Sequence, residues 1–270
     1  MAASESNPII FYDIKSAAES PGAKAWSPNT WKVRTALNYK RLPYRTIYLP
    51  YPEIAPTLRG LGLQPLEGQV GWRAFTLPVI IDPTPSGPPK IIRDSAAIAQ
   101  YLDATYPDHE RPLYPGGSHA LQALFCHHFH TRIYPILQLL IVPLTPSILD
   151  EGSIEYFHRT RSEAWGKPFA EHRPRGADLD KTWESLKEEF GVLDSLLQKN
   201  EVGRGGVGGD YVMGDKFSFA DCVLVACFVW IDKIMAKQDV EENGWERIKG
   251  WHNGRWERLW EKSEEYMQVD

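Results

Sequence analysis

The stretch "SFADCVLVACFVWIDKI" (218–234) is apolar on nearly every face of a helix. A helix of that kind is stable in water only when other elements surround it, so the second half of the chain must supply a helical shell. Matching patterns lie on both sides of it. Leu179, Trp183, Leu186, Phe190, Leu193 and Leu197 step by four and three, the spacing of an amphipathic helix over five turns. Ser218 and Asp221 have capping-box spacing at the start of the central helix, with aspartate in place of glutamate. No strand pattern is evident beyond residue 106.

The first hundred residues read differently. "IIFYDI" (9–14) and "YRTIYL" (44–49) are strand-like and flank a helix whose inner face carries Val33, Ala36, Leu37 and the stem of Lys40. "TLPVIID" (76–82) gives a strand beginning at Pro78, "SGPPK" a turn and "IIR" a fourth strand. "DSAAIAQYLDATYP" gives a helix with Ile98, Tyr101, Leu102 and Thr105 on one face. The order is βαβαββα. "YPDHERPLYPGG" then marks a linker. The expected division is an α/β domain at 1–106, a linker at 107–118 and an all-helical domain at 119–270. No repeat of fixed period is present.

The net charge of 30 − 35 = −5 favours neither nucleic acid nor an anionic membrane surface. The longest apolar run, "IYPILQLLIVPL", has 12 residues with two prolines and a glutamine, too short for a bilayer span. The N-terminus lacks a basic segment followed by an apolar core, so no secretory signal is expected. Cys126, Cys222 and Cys227 form neither a CxxC nor a metal spacing, which points to a reducing, cytoplasmic setting. In "CHHFH" (126–130), neighbouring side chains diverge by about 100° on a helix. No three of them converge, and no metal is expected. "GRGGVGG" follows a helix and opens none, so it reads as a loop and not as a dinucleotide fingerprint. Trp245, Trp251, Trp256 and Trp260 suggest a packed terminal segment.

Three short stretches carry candidate chemistry. In "AWSPNTWKVR", Ser27 before Pro28 fits a helix N-cap, and the same hydroxyl could hold a thiolate. Pro78 fits an ordinary trans proline at a strand start. A cis Leu77–Pro78 bond would instead turn the Val79 backbone outward to pair with an extended peptide. Asp94 and Ser95 suit a helix cap. With the helix N-terminus they also form a site for a zwitterionic amino-acid group, the amides and hydroxyl taking its carboxylate and Asp94 its ammonium.

Together these stretches could hold one small peptide along its length. With the element order, they make the chain resemble a glutathione transferase. "TLPVI" resembles the family's cis-proline strand, "RDSAAIAQYLDATYP" its glutamyl-binding helix and "YVMGDKFSFADCVLVA" its C-terminal capping-box signature. "WSPNTWKVRTALNYKRLPYRTIYLPYPEI" looks closest to the fungal etherase-like class, relatives of bacterial glutathione-dependent β-etherases. The resemblance implies a thioredoxin-like domain followed by an all-α domain, assembled as a homodimer. It makes Ser27 the thiol-activating hydroxyl and Asn29 a second polar contact. Val79, after a cis Pro78, would pair with the cysteinyl unit, and Asp94 and Ser95 would hold the γ-glutamyl end. Phe129, Tyr134 and Leu137 would line the pocket for a hydrophobic second substrate. Many relatives carry a basic or amide residue two before the proline. Thr76 stands there in this chain, and the loop "GLQPLEGQVGWRAF" is the alternative source of a contact to the glycyl carboxylate.

A serine suffices energetically. A thiol near pKa 8.5 needs about 2.7 kcal/mol of anion preference to fall by about two units. A hydrogen bond to a charged group contributes about 1.5–3 kcal/mol, and a helix N-terminus adds about 0.3–1 kcal/mol. The implied chemistry is attack of the thiolate on electrophilic or lignin-derived aryl-ether compounds. A non-catalytic ligandin that carries plant polyphenols is the rival expectation.

Overall fold

A computed structural model describes residues 3–84, 87–201, 209–236 and 244–270. Its first half contains β1 (Ile9–Ile14), α1 (Pro21–Lys24), α2 (Pro28–Tyr39), β2 (Tyr44–Leu49), α3 (Tyr51–Gly60), β3 (Val79–Asp82), β4 (Lys90–Arg93) and α4 (Ser95–Thr105). This is the expected order with one short additional helix, α1. The sheet runs β2-β1-β3-β4, with β1 and β2 parallel and β3 antiparallel to both of its neighbours. Buried Asp82 at the end of β3 accepts from the Tyr101 and Tyr106 hydroxyls at 2.6 and 2.7 Å, which pins α4 to the sheet.

The second half is helical: α5 (His119–His128), a π-helical turn (Phe129–Ile133), α6 (Tyr134–Ile141), α7 (Glu151–Trp165), α8 (Ala177–Leu197), α9 (Phe219–Met235), α10 (Gly244–Lys249) and α11 (Trp251–Ser263). Asp103 of α4 joins the halves. It takes the Lys40 ammonium at 2.8 Å and the Leu113 and Tyr114 amides at 3.0 Å.

Helix α9 is the centre of this half, with every residue from Phe219 to Ile231 buried. Ser218 caps it, its N–H and hydroxyl both donating to Asp221 at 2.9 and 2.7 Å. The α8 stripe from Trp183 to Leu197 faces inward as its spacing requires, and Trp251 and Trp256 pack against Phe190. The glycine-rich stretch at 203–209 lies almost entirely outside the described residues.

Helix α2 departs from a simple amphipathic pattern. It lies between the sheet and α9, so Thr30, Lys32, Arg34 and Thr35 are buried along with its apolar face. Its outer side forms a seam in which Trp31 packs with Val225, Ala226 and Val229 of α9.

Candidate active site

The polar stretches singled out in the sequence meet at the ends of elements facing the helical half. Ser27 occupies the N-cap position of α2, with extended backbone (φ −69°, ψ 128°). Its carbonyl accepts from Trp31 N–H at 3.0 Å and from the Thr30 hydroxyl at 3.1 Å. Its own hydroxyl makes no capping bond. Capping falls to the backbone, and the side chain lines a cleft between the two halves. Asn29, in the first turn of α2, accepts from the Lys32 ammonium through Oδ1 at 3.1 Å. That bond leaves the Asn29 amide N–H groups as the end able to donate. Burial pushes the Lys32 amine below its ordinary pKa, while Cys126 and Asp94 pull it back.

The Leu77–Pro78 bond is cis. Val79 is fully buried and paired on both sides, with Tyr12 on β1 and Arg93 on β4. The backbone presented to the groove therefore belongs to Leu77, the residue before the proline, and the Val79 assignment is corrected accordingly. Leu77 lies outside the ladder, and its N–H and C=O take no partner among the described residues. It lines both the cleft and a neighbouring pocket of about 580 Å³ formed with Asn29, Leu66, Thr76, Pro78, Arg93, Asp94 and Ser95.

Asp94 caps α4 through Oδ1, which accepts from the Ala96 and Ala97 amides at 3.0 Å. Oδ2 has no such role and stays available to a cation. The backbone at Asp94 is left-handed (φ 77°), a conformation that aspartate and asparagine enter more readily than most residues. Thr76 also borders a third pocket that the loop residues Leu66, Glu67, Gln69 and Arg73 share with Arg93. The basic side chains beside this position thus come from the loop and from β4.

The cleft itself is bounded by the start of α2 and by α6 and α7. Its apolar wall includes Trp26, Tyr51, Trp72, Phe75, Trp165 and Trp230. Tyr134 lines it, together with Gln138, Val142 and Thr145, an i, i+4, i+8, i+11 stripe along α6 and the turn after it. Phe129 and Leu137 do not reach it: they are 3% and 0% exposed and belong to the core. The cause is the turn between α5 and α6. Tyr134 N–H reaches back five residues to Phe129 C=O, and Pro135 supplies no N–H of its own. The extra residue shifts the helix phase, so Leu137, Leu140 and Ile141 turn inward.

Two cleft residues went unnoticed in the sequence. Arg161 of α7 is 5% exposed, with its guanidinium carbon 3.6 Å from the Trp72 ring centroid and 4.3 Å from that of Phe157. Arg73 also meets Trp72, at 5.0 Å. The i, i+4 spacing of Phe157 and Arg161 on one helix was the available local signal. Among the described residues there is no cluster of metal-ligating side chains, and no helix is long and apolar enough to cross a membrane.

Known proteins share this arrangement. Residues 26–105 match the glutathione S-transferase N-terminal domain model and residues 120–266 the C-terminal domain model. A glutathione S-transferase-like protein of Aspergillus flavus, ustS, is 35% identical over 99% of this chain and 94% of its own. A glutathione S-transferase of Ceriporiopsis subvermispora, solved in complex with glutathione, is 36% identical, with a TM-score of 0.85 over 98% of this chain and 99% of that one. Glutathione transferase GSTFuA3 of Phanerochaete chrysosporium is 33% identical, with a TM-score of 0.83 over 97% of this chain and 98% of that one. With both domain models matched in order and relatives aligned along almost its whole length, the chain belongs to the glutathione transferase family.

Proposed function

We propose that this protein binds glutathione as a thiolate at Ser27 and transfers it to an aromatic compound held in the cleft. The observation that carries this reading is the Ser27 hydroxyl, placed at a helix N-terminus on the cleft wall and not spent on capping. A donor there stabilises the anion, and the positive end of α2 adds to it. With its carbonyl oxygen held by Lys32, Asn29 directs its amide N–H groups to the same anion. The Leu77 backbone pairs with the cysteinyl unit. Asp94 Oδ2 takes the γ-glutamyl ammonium, while Ser95 and the α4 N-terminus take its carboxylate.

The acceptor is an electrophilic aromatic or an aryl ether of the kind derived from lignin, as the likeness of residues 26–54 to etherase-like relatives suggests. In the ether case the sulfur lone pair forms a C–S bond as the C–O bond breaks, and the aryl oxide leaves with the electron pair and takes a proton from water. Carriage of polyphenols without turnover is the second reading, favoured by the number of aromatic rings in the cleft. We further propose a cytoplasmic homodimer. Leu121 and Leu124 of α5 are 63% and 66% exposed, apolar surface that a second copy could cover.

The test is a pH titration of the thiolate absorbance of bound glutathione, in wild type and in Ser27→Ala. A thiol pKa well below the free value that moves back up in the variant supports activation by Ser27. Binding without a shift, or an unchanged variant, overturns it and leaves the carrier reading.

A further inference from the structure

The charge of the cleft bears on what its second ligand is. The described lining contains two arginines, Arg73 and Arg161, and neither aspartate nor glutamate. Arg73 is exposed, but Arg161 is 5% exposed and has no carboxylate partner among the described residues. Of the other buried cations, Lys32 donates to Asn29 Oδ1 at 3.1 Å and the remaining three have carboxylate partners. Arg34 is paired with Asp13, Lys40 with Asp103 and Arg255 with Asp194. Arg161 instead donates to the Thr160 hydroxyl at 2.9 Å and lies against the rings of Trp72, Phe157 and Tyr51.

Ring faces attract a cation but do not satisfy its N–H groups. Stacking at 3.6 Å on Trp72 occupies a face of the guanidinium and leaves its edge, the side on which carboxylates bind in pairs of hydrogen bonds. Taking a charge out of water is costly unless something compensates it. No carboxylate among the described residues compensates Arg161, and the cleft is open to a ligand. The geometry points to an aromatic carboxylate as the second ligand, its ring among the cleft aromatics and its carboxylate on the Arg161 edge. This rests on the glutathione-transfer reading for what happens next, but the anion site stands on Arg161 alone.

The experiment is calorimetric titration of the full chain with naphthoate and with naphthamide, which have the same shape and differ in charge. Each is run with and without saturating glutathione. In wild type, naphthoate is expected to bind about tenfold or more tighter, the size of effect one charge-assisted pair supplies. In Arg161→Met the preference is expected to fall to about twofold or less, with folding checked by thermal melting. Equal affinity for the two probes in wild type overturns the proposal. So does a preference that survives in a folded Arg161→Met, since Arg73 would then carry it. If Arg161→Met does not fold, Arg161→Lys gives the result: a preference reduced several-fold supports the paired edge, and an unchanged one overturns it.

Loss of naphthoate binding when glutathione is added overturns the assignment to a second ligand, because the cation then serves a glutathione carboxylate. Failure of glutathione to bind, with the naphthoate preference intact, removes the transfer reading and leaves the anion site standing.

Discussion

Arg34 and Asp13 form an ion pair of 3.0 Å in which neither side chain is exposed, and it ties the middle of α2 to β1. Asp270 at 2.7 Å and the hydroxyls of Tyr44, Thr46 and Tyr48 are the guanidinium's further partners. Burial alone would discourage the charge. The Asp13 carboxylate, Tyr44, Tyr48 and Asp270 together outweigh it and hold the Arg34 pKa above its ordinary value. Removing one member strands the other. Arg34→Met is expected to cost about 3–5 kcal/mol, and adding Asp13→Asn should recover part of that. Denaturant unfolding of both variants measures the loss and the coupling.

Asp94 caps α4 and, in the proposed complex, also takes the γ-glutamyl ammonium. Asp94→Asn keeps a capping oxygen and tolerates the left-handed backbone but loses the charge. Glutathione affinity should fall about tenfold or more, as for a lost charged hydrogen bond, with little change in melting temperature. Asp94→Ala should lose a similar affinity and about 1 kcal/mol of stability with the cap. Calorimetric titration and thermal melting, run on both, separate the roles.

The α6 stripe and the α6 core face should respond in opposite ways. Leu137→Ala empties a fully buried site and should cost about 2–5 kcal/mol of stability. Tyr134→Ala should leave stability nearly intact and raise KM for the aromatic substrate several-fold. Steady-state kinetics beside thermal melting checks the pair.

Asp221 gives stability a pH dependence of definite sign. Burial pushes its carboxyl up from 3.8 to about 7, against the pull of Ser218 and the Val212 amide. The folded state therefore holds a proton that the unfolded chain has released. This contribution is fully present below about pH 4 and is lost as pH rises through about 7. Wild type should lose stability across that window with a slope of up to about 1.4 kcal/mol per pH unit. Asp221→Asn should be flatter there, as read from unfolding free energies at several pH values.

Local patterns carried the fold well. The first two strands were legible to the residue, since alternating β-branched and aromatic residues ended at polar turns. The α8 stripe and the α9 cap were legible because period and capping chemistry are local. Of the candidate site, the helix starts at Ser27 and at Asp94 with Ser95 were legible, and the structure sets them on the cleft and its neighbouring pocket. The site was not legible where distant segments meet. Arg161, Trp72 and Tyr51 are far apart in sequence, and nothing within "RTRSEAW" says that its second arginine enters a cleft. The burial of Lys32 and Arg34 was not legible, because the covering helix α9 lies nearly two hundred residues away. Val79 was assigned to the groove from its place after Pro78; the strand pairing that removes it from the groove is a property of the assembled sheet.

The π-helical turn at Phe129–Ile133 sets which side of α6 faces the cleft. One residue more or fewer there rotates everything downstream by about 100°, bringing a different set of side chains to the cleft while the composition of the helix stays the same. Divergence in ligand preference among related chains can then arise through length variation ahead of Pro135. Comparisons that align such chains column by column would miss it.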